Sequence, residues 1–441
     1  MSTNRVSATR RSLQHGFGTL TVSLSLLLGL SITAFYLNRN VVFEQKTAVN
    51  YMQSAKALEY AEAGLEWATG MLNSPYDIDA SCVAQTTSLK SFRKIYVMTK
   101  YGDATSPSSD VIPAATTYPG CFLSGAAWSC SCPAPTAGPT VAALGATLVP
   151  KFTVAFEAVA GDAEAVRVTS WGCTAQSAVC GSGQTASADA SARLSVILKL
   201  KPVLRAGPSS SLTCGTSCTI GGSYNIVNSD VGTNGILVNA GTTVTTAPGV
   251  TWTSIPGQPT ANALVGTDSS LSALASSDPT CNESQMFNAY FGSKISSYMD
   301  DPTTKPLSCG SAADCSSQLT TAYDQGWRAF YFSSAVQLSG SGTLGSLSDP
   351  ITMVTPNALT INGNWNIFGM IFSNSADYNN LGTGAANITG ALVTCAAYSN
   401  NGNGTLAYSS DVLKNLRRST ALAVRVPGSW RDFTLSTDAK P

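Results

Sequence analysis

The chain has 441 residues, a formal charge of zero and only 11% charged residues. That length exceeds one ordinary core and calls for two or three domains. Without a basic cluster there is no electrostatic footprint for nucleic acid. The single histidine, His15, leaves no imidazole chemistry or His metal ligation for the rest of the chain.

Residues 1–16 contain Arg5, Arg10 and Arg11, no acid, and end in Gly16. Residues 17–37 hold no charge. At 1.5 Å per residue they would reach about 30 Å, enough for a bilayer. The arginines before the span predict a cytoplasmic N-terminus and an exported remainder. A cleaved signal peptide would have a shorter apolar core with small residues behind it. Here Phe35-Tyr36 and Asn38-Arg39 follow instead. Two readings stay open, an uncleaved anchor or a cut before the run at Gly16–Phe17.

The helical pattern continues past the span. Val49, Met52, Ala55, Leu58, Ala61, Leu65, Ala68 and Leu72 recur at steps of three and four, with Glu59, Glu62 and Glu66 off that face. Asn73-Ser74-Pro75 is a stop signal. One helix over residues 17–72 would be about 84 Å long. A coiled-coil stalk is the alternative, but the heptads are weak.

Residues 75–205 change character. Residues 152–159 and 165–171 alternate with period two around Gly161-Asp162, which predicts an antiparallel hairpin. Residues 192–200 form a third alternating strand. Residues 118–135 read as a disulfide-tied loop.

From about residue 206 the chain becomes rich in Gly, Asn, Ser and Thr. Asn366-Ile-Phe-Gly-Met-Ile-Phe-Ser373 aligns with Asn387-Ile-Thr-Gly-Ala-Leu-Val-Thr394 at an offset of 21 residues. Fainter echoes lie at residues 359–363 and 219–222. Such spacing predicts turns of a β-solenoid, with an irregular β-sandwich as the alternative. Residues 411–418 read as a helix covering an open end of the stack. Trp365 reads as core, or as an exposed ligand-facing aromatic.

All twelve cysteines lie beyond residue 81, on one side of the apolar span, as a disulfide set requires. The close pairs Cys173/Cys180, Cys214/Cys218 and Cys309/Cys315 are candidate local staples. Cys82, Cys121, Cys130, Cys132, Cys281 and Cys395 cannot be paired from sequence. Zinc at Cys130/Cys132 or Cys214/Cys218 competes weakly without a second cysteine pair or histidine. Asp230, Asp268, Asp278, Asp314, Asp324 and Asp377 are scattered through turn sequence, and no nucleophile elbow, P-loop or dinucleotide motif appears. The expectation is a protein without catalysis or cofactor. Calcium at residues 228–234 competes with simple Asx-turns there.

The leader ending in Gly16, the aromatic Phe17, the apolar run and the Tyr60-Ala-Glu-Ala-Gly-Leu-Glu-Trp-Ala68 segment together resemble the N-terminal region of PilX-type minor pilins, a type IV pilus assembly family. The match covers roughly residues 10–72, and residues 191–204 have the flavour of the same family. The resemblance implies cleavage by prepilin peptidase after Gly16, N-methylation of Phe17, and a helix entering the pilus core through residues such as Phe17, Thr21, Leu24 and Leu28. Its implied fold is α+β, with a long helix across an antiparallel sheet. The expected units are a leader (1–16), a pilin helix (17–74, membrane-spanning over 17–37), a sheet domain (75–205) and a β-rich domain (206–441).

Implied partners are other minor pilins, the major pilin, prepilin peptidase and inner-membrane lipid, with no nucleic acid. The implied location is the inner membrane and then the pilus tip. One departure stands out. Most type IV pilins have glutamate at the fifth residue after the cut, where this chain has Thr21. An unpaired carboxylate in that environment is costly, and a tip subunit has no earlier neighbour to pair with it. PilX-type minor pilins and their secretion-system counterparts, the K-type pseudopilins of type II secretion, share this lack. A pilus primer, a tip adhesin and a pseudopilin are therefore the three functional expectations.

Overall fold

The computed structural model describes residues 15–85, 90–97, 117–133, 140–141, 144, 149–175, 180–181, 188–277, 281, 285–310, 314–378 and 385–433. Residues 1–14 of the expected leader lie outside this set. Helix α1 spans His15–Asn73. Its apolar first half and the one-sided second half are a single uninterrupted helix, which ends just before Pro75, as proline's missing N–H and the restricted residue before it require.

The last sixteen or so residues of α1 lie across an antiparallel sheet. Its strands are β1 (Gly120–Ser124), β2 (Ala127–Ser131), β3 (Val149–Val159), β4 (Asp162–Ala175) and β5 (Ala188–Lys201). β3 and β4 pair from Val149↔Ala175 to Val159↔Asp162, so the turn is Ala160-Gly161. The short helix α2 (Phe92–Tyr96) supplies Phe92 and Tyr96 to the core between helix and sheet. Residues 118–135, expected as a loop, instead contribute the hairpin β1–β2. Its strands pair Cys121 with Cys130 opposite each other, and β1 adds to β3. The alternation there is masked by Gly, Ser and Cys, which carry little hydrophobic signal.

The buried face of α1 also differs from the expected one. Ala57, Ala61, Leu65, Ala68 and Leu72 are at most 2% exposed, whereas Val49, Met52 and Leu58 are more than 40% exposed. The sheet begins to cover the helix only at Ala57. There the backbones nearly touch. A Cβ on Gly172 of β4 would run into the Ala57 carbonyl and the Ala61 amide, and one on Gly64 would strike the Ser170 hydroxyl.

Beyond β5 the strands run in parallel. The first are β6 (Leu212–Cys214), β7 (Cys218–Ile220), β8 (Ser223–Val227), β9 (Val238–Ala240), β10 (Val244–Thr246) and β11 (Thr251–Thr253). Helices α3 (Ser269–Ser276), α4 (Gln285–Phe291) and α5 (Ile295–Met299) follow. Then come β12 (Thr304–Leu307), α6 (Ser316–Asp324), β13 (Ala329–Phe332), β14 (Val336–Leu344), the long β15 (Ile351–Tyr378), β16 (Ala385–Thr394), β17 (Tyr398–Asn400) and β18 (Asn403–Tyr408). β15 and β16 pair in register from Asn366↔Asn387 to Ser373↔Thr394, the offset of the internal repeat.

The stack does not follow chain order. β6 pairs with β9 on one side and with β16 on the other, and β7 and β8 likewise sit against β17 and β18. The early strands are therefore added onto the last turn of the chain's later half. Glycines mark one corner, where a Cβ on Gly390 would meet the Gly369 carbonyl and one on Gly369 the Ile351 carbonyl. Ile367, Ile371, Ile388, Leu392, Leu406, Leu212 and Ile226 fill the interior. Trp365 belongs there too, 2% exposed, and donates Nε1–H to the Ser339 carbonyl at 3.2 Å.

A second apolar layer lies outside the stack. Phe372, Met370 and Val393 meet Phe287 and Phe291 of α4, Tyr298 of α5, and Leu413 and Leu416 of α7 (Ser410–Ser419). The α7 helix thus covers the outer faces of β15 and β16 rather than an open end, because its apolar stripe matches an apolar sheet face, not a row of unpaired amides. The chain then returns to the first sheet. β19 (Leu422–Arg425) pairs with β5 antiparallel, giving the order β19-β5-β4-β3-β1-β2. The expected unit 206–441 therefore gives its last strand to the sheet before it.

Candidate assembly surface

The first half of α1 carries the most exposed apolar surface among the described residues. Leu24 and Leu28 are 67% and 64% exposed, and Leu20, Leu26, Leu27, Leu30 and Phe35 are similarly bare. The helix is long and apolar enough to cross a membrane by length and composition. Hydroxyls within it are turned back onto their own backbone. Thr21 Oγ1 donates to the Gly18 carbonyl, three residues earlier, at 2.9 Å. Ser31 and Thr33 donate to the Leu27 and Gly29 carbonyls at 2.7 and 2.8 Å. These bonds satisfy polar groups that would otherwise be costly in hydrocarbon or in a helix bundle. Gly16 and Phe17 lie in the first turn of α1.

The far end of α1 is a polar junction between the sheet and the stack. Arg93 of α2 is 5% exposed and donates Nε–H and Nη2–H to the Leu72 carbonyl at 2.9 and 2.6 Å. It thereby satisfies a carbonyl left open at the helix C-terminus. Its Nη1 donates to the Arg418 carbonyl at 3.2 Å. Asn73 makes a two-way bond with Ala423 of β19, accepting at 2.7 Å and donating at 3.0 Å.

Beside it, Lys94 Nζ and Arg328 Nε both contact Asp349 Oδ2, at 2.6 and 2.7 Å, with all three side chains under a fifth exposed. Burial acts to raise the Asp349 carboxyl, but the two cations outweigh it and hold the carboxyl below its ordinary value. Gly326, at φ +100°, lies where a Cβ would meet the Pro75 carbonyl, and Tyr76 packs edge-on against Trp327. None of these junction residues is marked by a motif. Asp349 reads in sequence as a turn acid before Pro350.

The twelve cysteines form Cys82–Cys132, Cys121–Cys130, Cys173–Cys180, Cys214–Cys218, Cys281–Cys395 and Cys309–Cys315. Both cysteine sets weighed for zinc are thus in disulfides. The loop at residues 228–234 closes on itself. Asn228 Oδ1 accepts from the Asp230 amide at 3.0 Å and its Nδ2 donates to the Ile236 carbonyl at 2.7 Å. Asp268 and Asp314 accept from the amides of Ser270 and Ser316 at helix starts, and Asp377 accepts from Ser399. Asp278 lies outside the described residues. Among the described residues, no three His, Cys, Asp or Glu side chains gather as a metal set.

One stack face carries a polar rank, missed in the sequence because its members are far apart. Thr343, Asn366, Asn387, Thr405, Asn225 and Thr251 occupy successive in-register positions. Asn387 Nδ2 donates to Asn366 Oδ1, and Thr251 Oγ1 donates to Asn225 Oδ1, each at 3.0 Å.

No family model matches the chain, and no curated protein matches it. Two solved structures are similar at low identity. An ice binding protein from an Antarctic Biological Consortium is 14% identical; the likeness covers 47% of this chain and 90% of that one, with a TM-score of 0.17. The competence-associated pilin ComZ from Thermus thermophilus is 11% identical, over 86% of this chain and 97% of that one, with a TM-score of 0.20. Likenesses at these scores leave the reading of the chain to its own residues.

Proposed function

We propose that this chain is a minor pilin that primes a type IV pilus at its tip. In this reading residues 17–37 hold it in the inner membrane after prepilin peptidase removes residues 1–16. Phe17, Thr21, Leu24 and Leu28 then pack against the helices of other minor pilins, and the resulting bundle templates the major pilin. The work is binding, with no reaction and no cofactor. The observation that carries the reading is α1 itself, which exposes an uncharged apolar span over residues 18–37 and is seated on an antiparallel sheet only from Ala57. The stack, read as a β-solenoid from its parallel in-register pairing, is docked at the opposite end of α1 from the apolar span. A subunit added beyond that end would meet it, which supports a terminal place in the fibre.

Mass spectrometry of the mature N-terminus should find methylated Phe17; an intact Met1 would leave only a signal-anchored surface protein. Deleting the gene should reduce surface pili while major-pilin synthesis continues, and unchanged piliation would remove the priming role. Loss of secreted enzymes with pili intact would favour the type II pseudopilin instead. Thr21→Glu should lower pilus number or move the subunit off the tip, because the new carboxylate has no amine to meet there. Unchanged number and position would mean that Thr21 is neutral drift.

The polar rank on the stack favours one second reading, a tip adhesin whose stack meets a surface or glycan. Saturable binding of the purified exported region to cells, abolished by charge substitutions at Asn366 and Asn387, would support it.

A further inference from the structure

We infer that residues 202–420 are a self-contained insert in a hairpin connection, and that the helix–sheet body folds and stays folded without help from them. The first observation is register. Lys201, the last residue of β5, lies directly opposite Leu422, the first residue of β19. The chain leaves the sheet and re-enters it at one point. Without the intervening residues, β5 and β19 would be the two arms of an ordinary antiparallel hairpin, which a short turn closes.

The second observation is covalent. Cys82–Cys132, Cys121–Cys130 and Cys173–Cys180 lie within the body, and Cys214–Cys218, Cys281–Cys395 and Cys309–Cys315 within the insert. None crosses.

The third is packing. The core under α1 takes residues up to Leu200 and then Ala421 and Ala423, with nothing from between. The two cores of the stack draw their buried residues from Leu204 to Leu416. Among the described residues, Tyr76 is the body's partly buried hydrophobic side chain packed against them. Contact between the two parts is otherwise mainly polar, through Lys94–Asp349–Arg328, Arg93 on the Arg418 carbonyl and Arg417 near Glu164 at 3.7 Å. Such an interface resembles one between domains rather than a shared core. The insert is thus oriented by a charged dock and joined at a single hinge point, and its stability is separate from that of the part that carries α1. This holds whether or not the chain is a pilin.

The test uses the full-length oxidised chain and native-state hydrogen exchange in rising denaturant. Amides of β3, β4, β5 and β19 should open at one midpoint and those of β13 to β18 at another. Ile388→Ala, inside the stack, should lower only the second midpoint, and Phe156→Ala, under α1, only the first. A common midpoint in the wild type, or a β5–β19 midpoint that falls with Ile388→Ala, would overturn the inference. Should one variant fail to fold, the wild-type profile and the other variant still decide it.

Discussion

Asp349→Asn should loosen the junction by about 3 kcal/mol, because it leaves Lys94 and Arg328 facing each other with no shared carboxylate. Both cations contact the same Asp349 oxygen and all three side chains are under a fifth exposed, so water screens them poorly. The loss falls on docking, since separation returns both cations to water. Amide exchange around residues 74–77 and 326–329 should rise on the order of a hundredfold while the strand cores keep their protection. Unchanged exchange there would mean that the ion cluster contributes nothing net.

The pH dependence has a definite sign. Asp349 is held below its ordinary value in the docked protein, so its contribution is present at neutral pH. It is lost as pH falls through the depressed value, below the usual carboxylate range near about 3.9. The wild type should show acid-induced undocking under those conditions, and Asp349→Asn should be undocked without that step.

Gly172→Val should be the most damaging single change in the sheet, costing about 3 kcal/mol or more. The added side chain would enter the α1 backbone at Ala57 and Ala61, atoms that no rotamer change can move aside. Helix and sheet would have to separate where the helix first meets its core. The expected result is a lower thermal midpoint, with the α1 amides from Ala57 to Leu72 losing protection first. Gly70→Ala on the exposed face of the same helix is the matched control. Nothing lies within 4 Å of its Cβ position, and alanine there should stabilise the helix by about 1 kcal/mol. Equal effects from the two substitutions would refute the close contact at Gly172.

The parts of this fold that are local in sequence were legible there. The unbroken helix, the turn at Gly161 and the 21-residue offset of Asn366 and Asn387 all come from periodicity between near neighbours. What was hidden depends on distant pairings. Leu422–Arg425 has no signal that distinguishes a strand of the first sheet from one of the stack. Small residues make the buried stripe of α1 ambiguous, and only Gly172 on the facing strand shows where contact begins. The exposed apolar span that holds Leu24 and Leu28 was readable from its lack of charge. The ionic dock was not, because Lys94 and Arg328 stand 255 and 21 positions from Asp349 and no motif joins them.

The out-of-order stacking has a consequence for how the chain is made. β6, β7 and β8 are made early, yet each takes one of its two neighbours from β16, β17 and β18, near the end of the chain. Those edges stay unsatisfied until almost the whole polypeptide has been made. Long-range parallel pairing of this kind is slow and leaves strand edges open to wrong partners. Synthesis of the last strands, not of the early ones, is therefore the event that lets the distal half mature. A chain truncated after β15 would lose its first-made strands along with its last.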